Sequence, residues 1–263
     1  MEMIEDHFDG EPLPRWTRWL QGKGRIESGD STVRLVTQDT RAGKYSDSEL
    51  DDYHVDRSGR KCQWLWRPPL HMSVRARASH AQLVGTAGFG FWNDPFTLSG
   101  MVTVLPQAIW FFYASPPSNM ALVPGVPGWG WKAAVVNTTF KRALRSGLPT
   151  VLAVLWARLT GRTATAARWV QRISGAHEAP LDLDWTHWHT CELDWQGDMA
   201  TFHIDSRLVF HAPHPPPGPL GFVTWVDNQY AVATPGGDFR FGTLDAPGQQ
   251  WLELDWVKIE TKD

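Results

Sequence analysis

The sequence predicts an all-β protein, a two-sheet antiparallel jelly-roll sandwich that carries a basic helical insertion. Three observations lead there. Short apolar or alternating runs recur about a dozen times, with Pro, Gly, Asn and Asp turn signals between them. No βαβ alternation accompanies them, which leaves a sandwich as the way to bury their apolar faces. Between Thr138 and Gly175 glycine and proline thin out and the pattern turns helical, marking an insertion within the β chain. At 263 residues the chain exceeds the usual domain size, but sandwiches reach this length as single units, so one domain over 1–263 is expected with 138–175 inserted in it.

His7 to Trp19 is a proline-broken edge, and Ser31 to Thr37 alternates as a strand. Residues 38–61 are polar and charged, with Tyr45 and Tyr53 the only aromatics, and are expected to form a long surface loop. Strands resume at Gln63–Trp66 and Met72–Ala78, the second placing Arg75 and Arg77 on one wet face. Gly85 to Trp92 is a glycine-rich strand ending in the turn Asn93-Asp94-Pro95. The centre of the pattern is Leu105 to Asn137, two apolar runs joined by a Pro/Gly-rich loop. Its halves, Ala108–Tyr113 and Trp129–Val136, are expected to lie side by side with Trp110, Trp129 and Trp131 as candidate walls of a groove. Trp188–Trp195 and Met199–Asp205 read as a hairpin, Gly221–Val226 as a strand ending at Asp227-Asn228, and Trp251–Glu260 as the closing strand.

The insertion reads as three helices, near 140–144, 151–159 and 164–173. It holds seven Lys and Arg and no acid, so the rest of the chain carries −10. Such helices suit docking on the acidic remainder, an anionic membrane surface, or a lid over a ligand. Their longest apolar run, 148–159, is too short to span a bilayer. The net charge of −3 gives no basic field, so nucleic acid is not expected as a partner. Cys62 and Cys191 form no disulfide framework and no metal-ligand spacing, and His211 and His214 lack a third ligand for zinc, so no metal centre is expected. The acidic N-terminus has no basic-then-apolar leader pattern, and a cytoplasmic location is expected. Oligomeric state is not legible.

Three stretches resemble the concanavalin A-like lectin/glucanase superfamily, and within it the family-16 glycoside hydrolases, the laminarinases and lichenases. Leu105-Pro-Gln-Ala-Ile-Trp-Phe-Phe is similar to that family's WPAxWLL strand. Trp188-His-Thr-Cys-Glu-Leu-Asp-Trp with Phe202-His-Ile-Asp205 resembles its FHxYxxEW strand and following hairpin. Leu254-Asp-Trp-Val-Lys-Ile-Glu resembles its final VDYVRVY strand. The resemblance implies a concanavalin A-like jelly roll, a glycan-binding groove, no organic cofactor, and room for a structural calcium on surface carboxylates. It also implies a Glu-x-Asp-x-Glu strand after the WPAxWLL strand, whose carboxylates converge on one glycosidic bond. Here that strand is Gly130-Trp-Lys-Ala-Ala-Val-Val-Asn137, without a carboxylate.

Two functions from different classes follow. In the first, the protein is a binder of a glycan or glycoside whose Trp-lined groove lacks the retaining-glycosidase pair. The ligand stacks on Trp92, Trp110, Trp131 and Trp225, and Asn93, Asp94, Lys132, Asp227 and Asn228 supply polar contacts. In the second it is an enzyme of altered chemistry, an isomerase, cyclase, lyase or hydrolase for an apolar small molecule in a lidded pocket. Asp94, Glu192 and Asp227 are its acid–base candidates, because a carboxyl beside indoles is desolvated and keeps its proton.

Overall fold

The computed structural model describes residues 2–54, 62–94, 106–120, 122–123, 125–138, 175–233 and 239–262. The helical insertion expected at 138–175 lies almost entirely outside the described residues. Among the described residues, two antiparallel sheets and a ribbon account for seventeen strands. The first sheet runs β13 (Arg207–Pro213), β12 (Met199–Ile204), β11 (His189–Trp195), β6 (Leu70–Ala78), β17 (Ala246–Thr261), β4 (Thr32–Thr40), β3 (Gly24–Gly29), and β1 (Met3–Asp6) also pairs with β17. The second runs β10 (Ala176–Pro180), β9 (Gly130–Asn137), β8 (Gln107–Ala114), β7 (Thr86–Trp92), β14 (Gly221–Asp227), β5 (Asp47–Asp51), β2 (Thr17–Gln21). β15 (Gln229–Ala233) and β16 (Phe239–Thr243) form the ribbon.

Successive side chains on a strand face opposite ways, and the two sheets use this differently. On β6, Leu70, Met72, Val74, Ala76 and Ala78 are buried while Arg75 and Arg77 are half-exposed, so the first sheet is dry inside and wet outside. Cys191, Leu193 and Trp195 of β11 likewise point into the core. The second sheet is buried on both faces. Its inward residues, among them Phe89, Phe91, Phe111 and Phe222, join the main core. Its outward residues Phe112, Ala114, Val223 and Trp225 form a second apolar cluster with Tyr53, against which Trp64, Trp92, Trp110 and Met120 pack. The expected pairing of β8 with β9 is present, in register from Gln107 opposite Asn137 to Ala114 opposite Gly130.

One expectation is overturned. The segment 38–61 is not a surface loop throughout, because it contains β5, which is hydrogen-bonded between β14 and β2. Ser48 and Leu50 point inward, and Asp47, Glu49 and Asp51 point outward onto the second apolar cluster's face, where Asp47 and Asp51 are fully buried. A strand that carries acids on a covered face has no apolar alternation for sequence reasoning to find.

Phe111 couples the two sheets, lying 5.3 Å from Phe89 beside it and 5.3 Å, edge to face, from Phe202 of the facing sheet. Phe111→Ala is expected to cost about 3–5 kcal/mol, read as a lowered urea midpoint with unchanged slope.

Candidate functional site

The outward face of the second sheet carries the indoles that the sequence offers as groove walls. Gly88 and Gly90 of β7 make it possible: a Cβ on Gly88 would stand 2.4 Å from the Phe111 carbonyl and 2.9 Å from the Trp225 ring, and one on Gly90 would stand 2.6 Å from Trp110. The missing side chains let Trp110 and Trp225 lie down on the sheet, 5.4 Å apart between ring centroids. Trp110 also stacks on Phe112 at 5.3 Å and approaches Trp92 at 5.9 Å. The result is an aromatic wall across three strands.

A carboxyl cluster stands at one end of this wall. The Tyr53 hydroxyl accepts the Trp92 Nε1–H at 2.9 Å, and lies 3.3 Å from Glu49 Oε1 and 3.5 Å from Asp94 Oδ2. Those two carboxyls are therefore no more than about 7 Å apart. The Tyr53 ring stacks on Trp64 at 4.7 Å. His54 meets Asp51 Oδ2 through Nδ1 at 2.8 Å and turns Nε2 toward Asp94 Oδ2 at 3.9 Å, while Trp19 stacks on the imidazole at 5.6 Å. Asp51 Oδ1 accepts the backbone N–H groups of Tyr53 and His54, which locks the corner after β5. Asp94 follows β7 with φ of 33°, a left-handed conformation that Asp tolerates better than most residues. That turn is what brings its carboxyl back toward Tyr53 and His54.

Burial shapes the electrostatics. Desolvation is the largest influence on Glu49 and Asp47, and their negative neighbours reinforce it, so both carboxyls keep their protons well above the ordinary range. Asp227 is pushed up to about 6 by burial, although its Oδ1 accepts hydrogen bonds from Thr86 N–H, Thr86 O–H and Gln229 N–H. Among the described residues, His54 is the basic group within ion-pair distance of this cluster.

The residues singled out from sequence separate into groups. Asp94, Asp227, Trp92, Trp110 and Trp225 come together on the groove face. Glu192 does not: it projects from the outer surface of the first sheet, 3.8 Å from His71. Trp131 points into the core and stacks on Trp185 at 4.0 Å. Lys132 is fully buried and held by Glu178 at 3.4 Å, and desolvation lowers its pKa and raises that of Glu178. Asn228 spends its amide on the carbonyls of Lys44 and Leu244 and its oxygen on Ser46 N–H, and Asn93 accepts the Gln107 N–H. Sequence reasoning missed Asp47, Glu49, Asp51, Tyr53 and His54 altogether. The available signal was Asp47-Ser-Glu-Leu-Asp51, acids at strict alternation around an apolar residue.

On β9 the residues facing the groove are Lys132, Ala134 and Val136, because Trp131, Ala133 and Val135 belong to the core. The carboxyls lie instead four strands away on β5 and around it. Glu49, Asp51 and His54 each offer one ligand atom within 4.8 Å of the others. This donor set does not suit calcium, which prefers oxygen ligands throughout, and Asp51 and His54 are already bonded to each other.

Solved structures agree at the level of the fold. The chain is similar to an immunostimulatory antigen and pseudo β-1,3-glucanase of Mycobacterium tuberculosis, with TM-score 0.56, 14% identity, and 99% of this chain and 98% of that one covered. It is similar to the Bacillus licheniformis β-glucanase, with TM-score 0.55, 12% identity, and 100% and 99% covered. A lichenase derived from a mouse hindgut metagenome gives 0.54 at 12% identity, with both chains fully covered at 100%. No family model matches, and no curated protein matches.

The Asp227 shift fixes a pH dependence. Its carboxyl is neutral in the folded protein where the unfolded chain ionises it, so its contribution is full below about pH 4 and is lost as pH rises through about 6. Asp227→Asn keeps the oxygen acceptor and is expected to remove this slope, gaining on the order of 2 kcal/mol at pH 7.5. Denaturant titrations of both proteins from pH 4 to 8 measure it.

Proposed function

We propose that this protein is an acid–base enzyme that cleaves a glycosidic linkage in a ligand seated on the indole wall, with the carboxyls around β5 in place of those the resemblance puts on β9. The observation that carries the reading is the meeting of Glu49 and Asp94 at the Tyr53 hydroxyl beside that wall. Buried acids are costly in a fold unless they serve a purpose. Their separation of no more than about 7 Å falls within reach of two-carboxyl glycoside chemistry.

In this reading Glu49 is the general acid. Burial and its negative neighbours raise its pKa well above the ordinary carboxylate range, and it is less buried than Asp47 and Asp51. It donates its proton to the leaving oxygen as the glycosidic C–O bond breaks. Asp94 is the partner carboxyl that faces the positive charge developing at the anomeric carbon; a water molecule then adds to that carbon, and the proton it releases returns to Glu49. Asp51 orients His54, whose Nε2 faces Asp94 at 3.9 Å. Tyr53 holds both carboxyls in register.

A second reading has a specific observation in its favour. Asn93, Asn228 and Lys132, the polar groups that would meet sugar hydroxyls, are all engaged within the protein, and the indole N–H groups of Trp92 and Trp225 are used by Tyr53 and Thr86. A ring-shaped substrate with few hydroxyls would fit such a wall. The same acid would then protonate an alkene or ether for isomerisation or cyclisation.

The test is turnover of a panel of aryl glycosides and β-glucan oligosaccharides beside a panel of apolar polycyclic and terpenoid compounds. Glu49→Gln and Asp94→Asn are each expected to lower kcat at least a hundredfold, and Trp110→Ala to act mainly on KM. Turnover of the apolar panel alone would replace the glycoside with the second substrate class. Binding without turnover in the wild type, unchanged by Glu49→Gln, would leave the protein a binder.

A further inference from the structure

The outer surface of the first sheet, on the far side of the sandwich from the groove, carries a hollow of about 500 Å³ bounded by β3, β4, β6 and β17 and by Trp188. Its floor is a ladder of guanidinium and indole groups. Arg34 lies 4.9 Å from the Trp251 ring and Arg77 5.6 Å from the same ring. Arg77 and Arg75 lie 4.5 and 5.1 Å from Trp188, and Arg75 lies 5.3 Å from Trp256. Stacking of this kind holds a guanidinium flat and limits its rotation.

One buried carboxylate organises the ladder. Glu253 is 1% exposed, and it accepts the Arg34 Nε–H on Oε1 at 2.8 Å and the Arg77 Nε–H on Oε2 at 2.6 Å, with the Thr32 hydroxyl on Oε1 at 3.0 Å. Each guanidinium is thus tied by its Nε. Among the described residues its Nη pair meets no acceptor, and both side chains remain about a third exposed, at 39% and 31%. Arg75 is neutralised separately by Asp255. The group of Arg34, Glu253 and Arg77 therefore carries one positive charge beyond its carboxylate, and Glu27, which also lines the hollow, is paired with Arg25.

We propose that this hollow is a second binding site, independent of the groove, for the carboxylate of a uronate-type sugar unit. Guanidinium forks match a planar carboxylate by paired hydrogen bonds. The half-exposed indole of Trp188 offers an apolar surface to a ring, and Asp30 and Asp255 on the rim offer acceptors to its hydroxyls. The hollow lies within the size range of small-ligand sites.

Calorimetric titration of the full chain tests this with methyl glucuronide, methyl glucoside, acetate and sulfate at constant ionic strength. Saturable binding of the uronate is expected, absent with the neutral glucoside, weakened by salt, and lowered about tenfold or more in Arg34→Gln and in Arg77→Gln. Trp110→Ala in the groove should leave it unchanged. Arg34 is the more exposed of the two, at 39% against 31%, so its variant keeps the test valid if the Arg77 variant fails to fold. No saturable uronate binding by the wild type would overturn the proposal, as would loss of binding in Trp110→Ala. Acetate or sulfate binding as tightly as the uronate would overturn the sugar assignment.

Discussion

The burial of an acidic strand within the second sheet is the constraint on which the rest of this structure depends. β5 has β14 on one side and β2 on the other, so Asp47, Glu49 and Asp51 cannot turn away to solvent without breaking both ladders. Each carboxyl must then be satisfied locally or stay protonated. Asp51 does the first, with two backbone N–H groups and the His54 ring. Asp47 and Glu49 do the second. Next along the chain, Asp52 accepts the Phe222 N–H and the Trp66 indole N–H, which ties the end of β5 to β14 and to the entry of β6. The same acids that endanger the sheet also fasten its corner.

The groove follows from that corner. Tyr53 can reach Glu49, Asp94 and Trp92 together only because Asp51 fixes the turn that carries it, and Asp94 can return toward it only through a left-handed backbone. The aromatic wall depends on a different economy, the absence of side chains at Gly88 and Gly90. Acidic corner and indole wall therefore meet because β5, β14, β7 and β8 are neighbours in the sheet. Chain order alone would separate Glu49 from Trp110 by more than half of the first 110 residues.

The two faces of the molecule treat charge in opposite ways. The groove face buries acids beside indoles with His54 as their basic companion among the described residues, and the outer face of the first sheet lays arginines on indoles around a single buried Glu253. Aromatic surface does different work in each setting. It desolvates carboxyls in the groove and thereby holds their protons, and it supports guanidinium groups that stay charged whatever their surroundings.

The sequence by itself determined the sandwich, because period-two burial on β6 and β11 and the turn signals between strands are local properties of the chain. It also determined the pairing of β8 with β9 and the lack of groove-facing carboxyls on β9. Of the site, the turn at Asp94, the strand end at Asp227 and the indoles Trp92, Trp110 and Trp225 were legible, since a strand end or an alternation marks each of them. Only the tertiary structure decided that Asp47-Ser-Glu-Leu-Asp51 is a buried strand, that Glu192 faces the opposite side, and that Trp131 is core. The reason is physical. Hydrophobic periodicity reports the contrast between a dry face and a wet one, and β5 has two covered faces, one of them lined with acids whose protonation depends on neighbours brought in from distant parts of the chain.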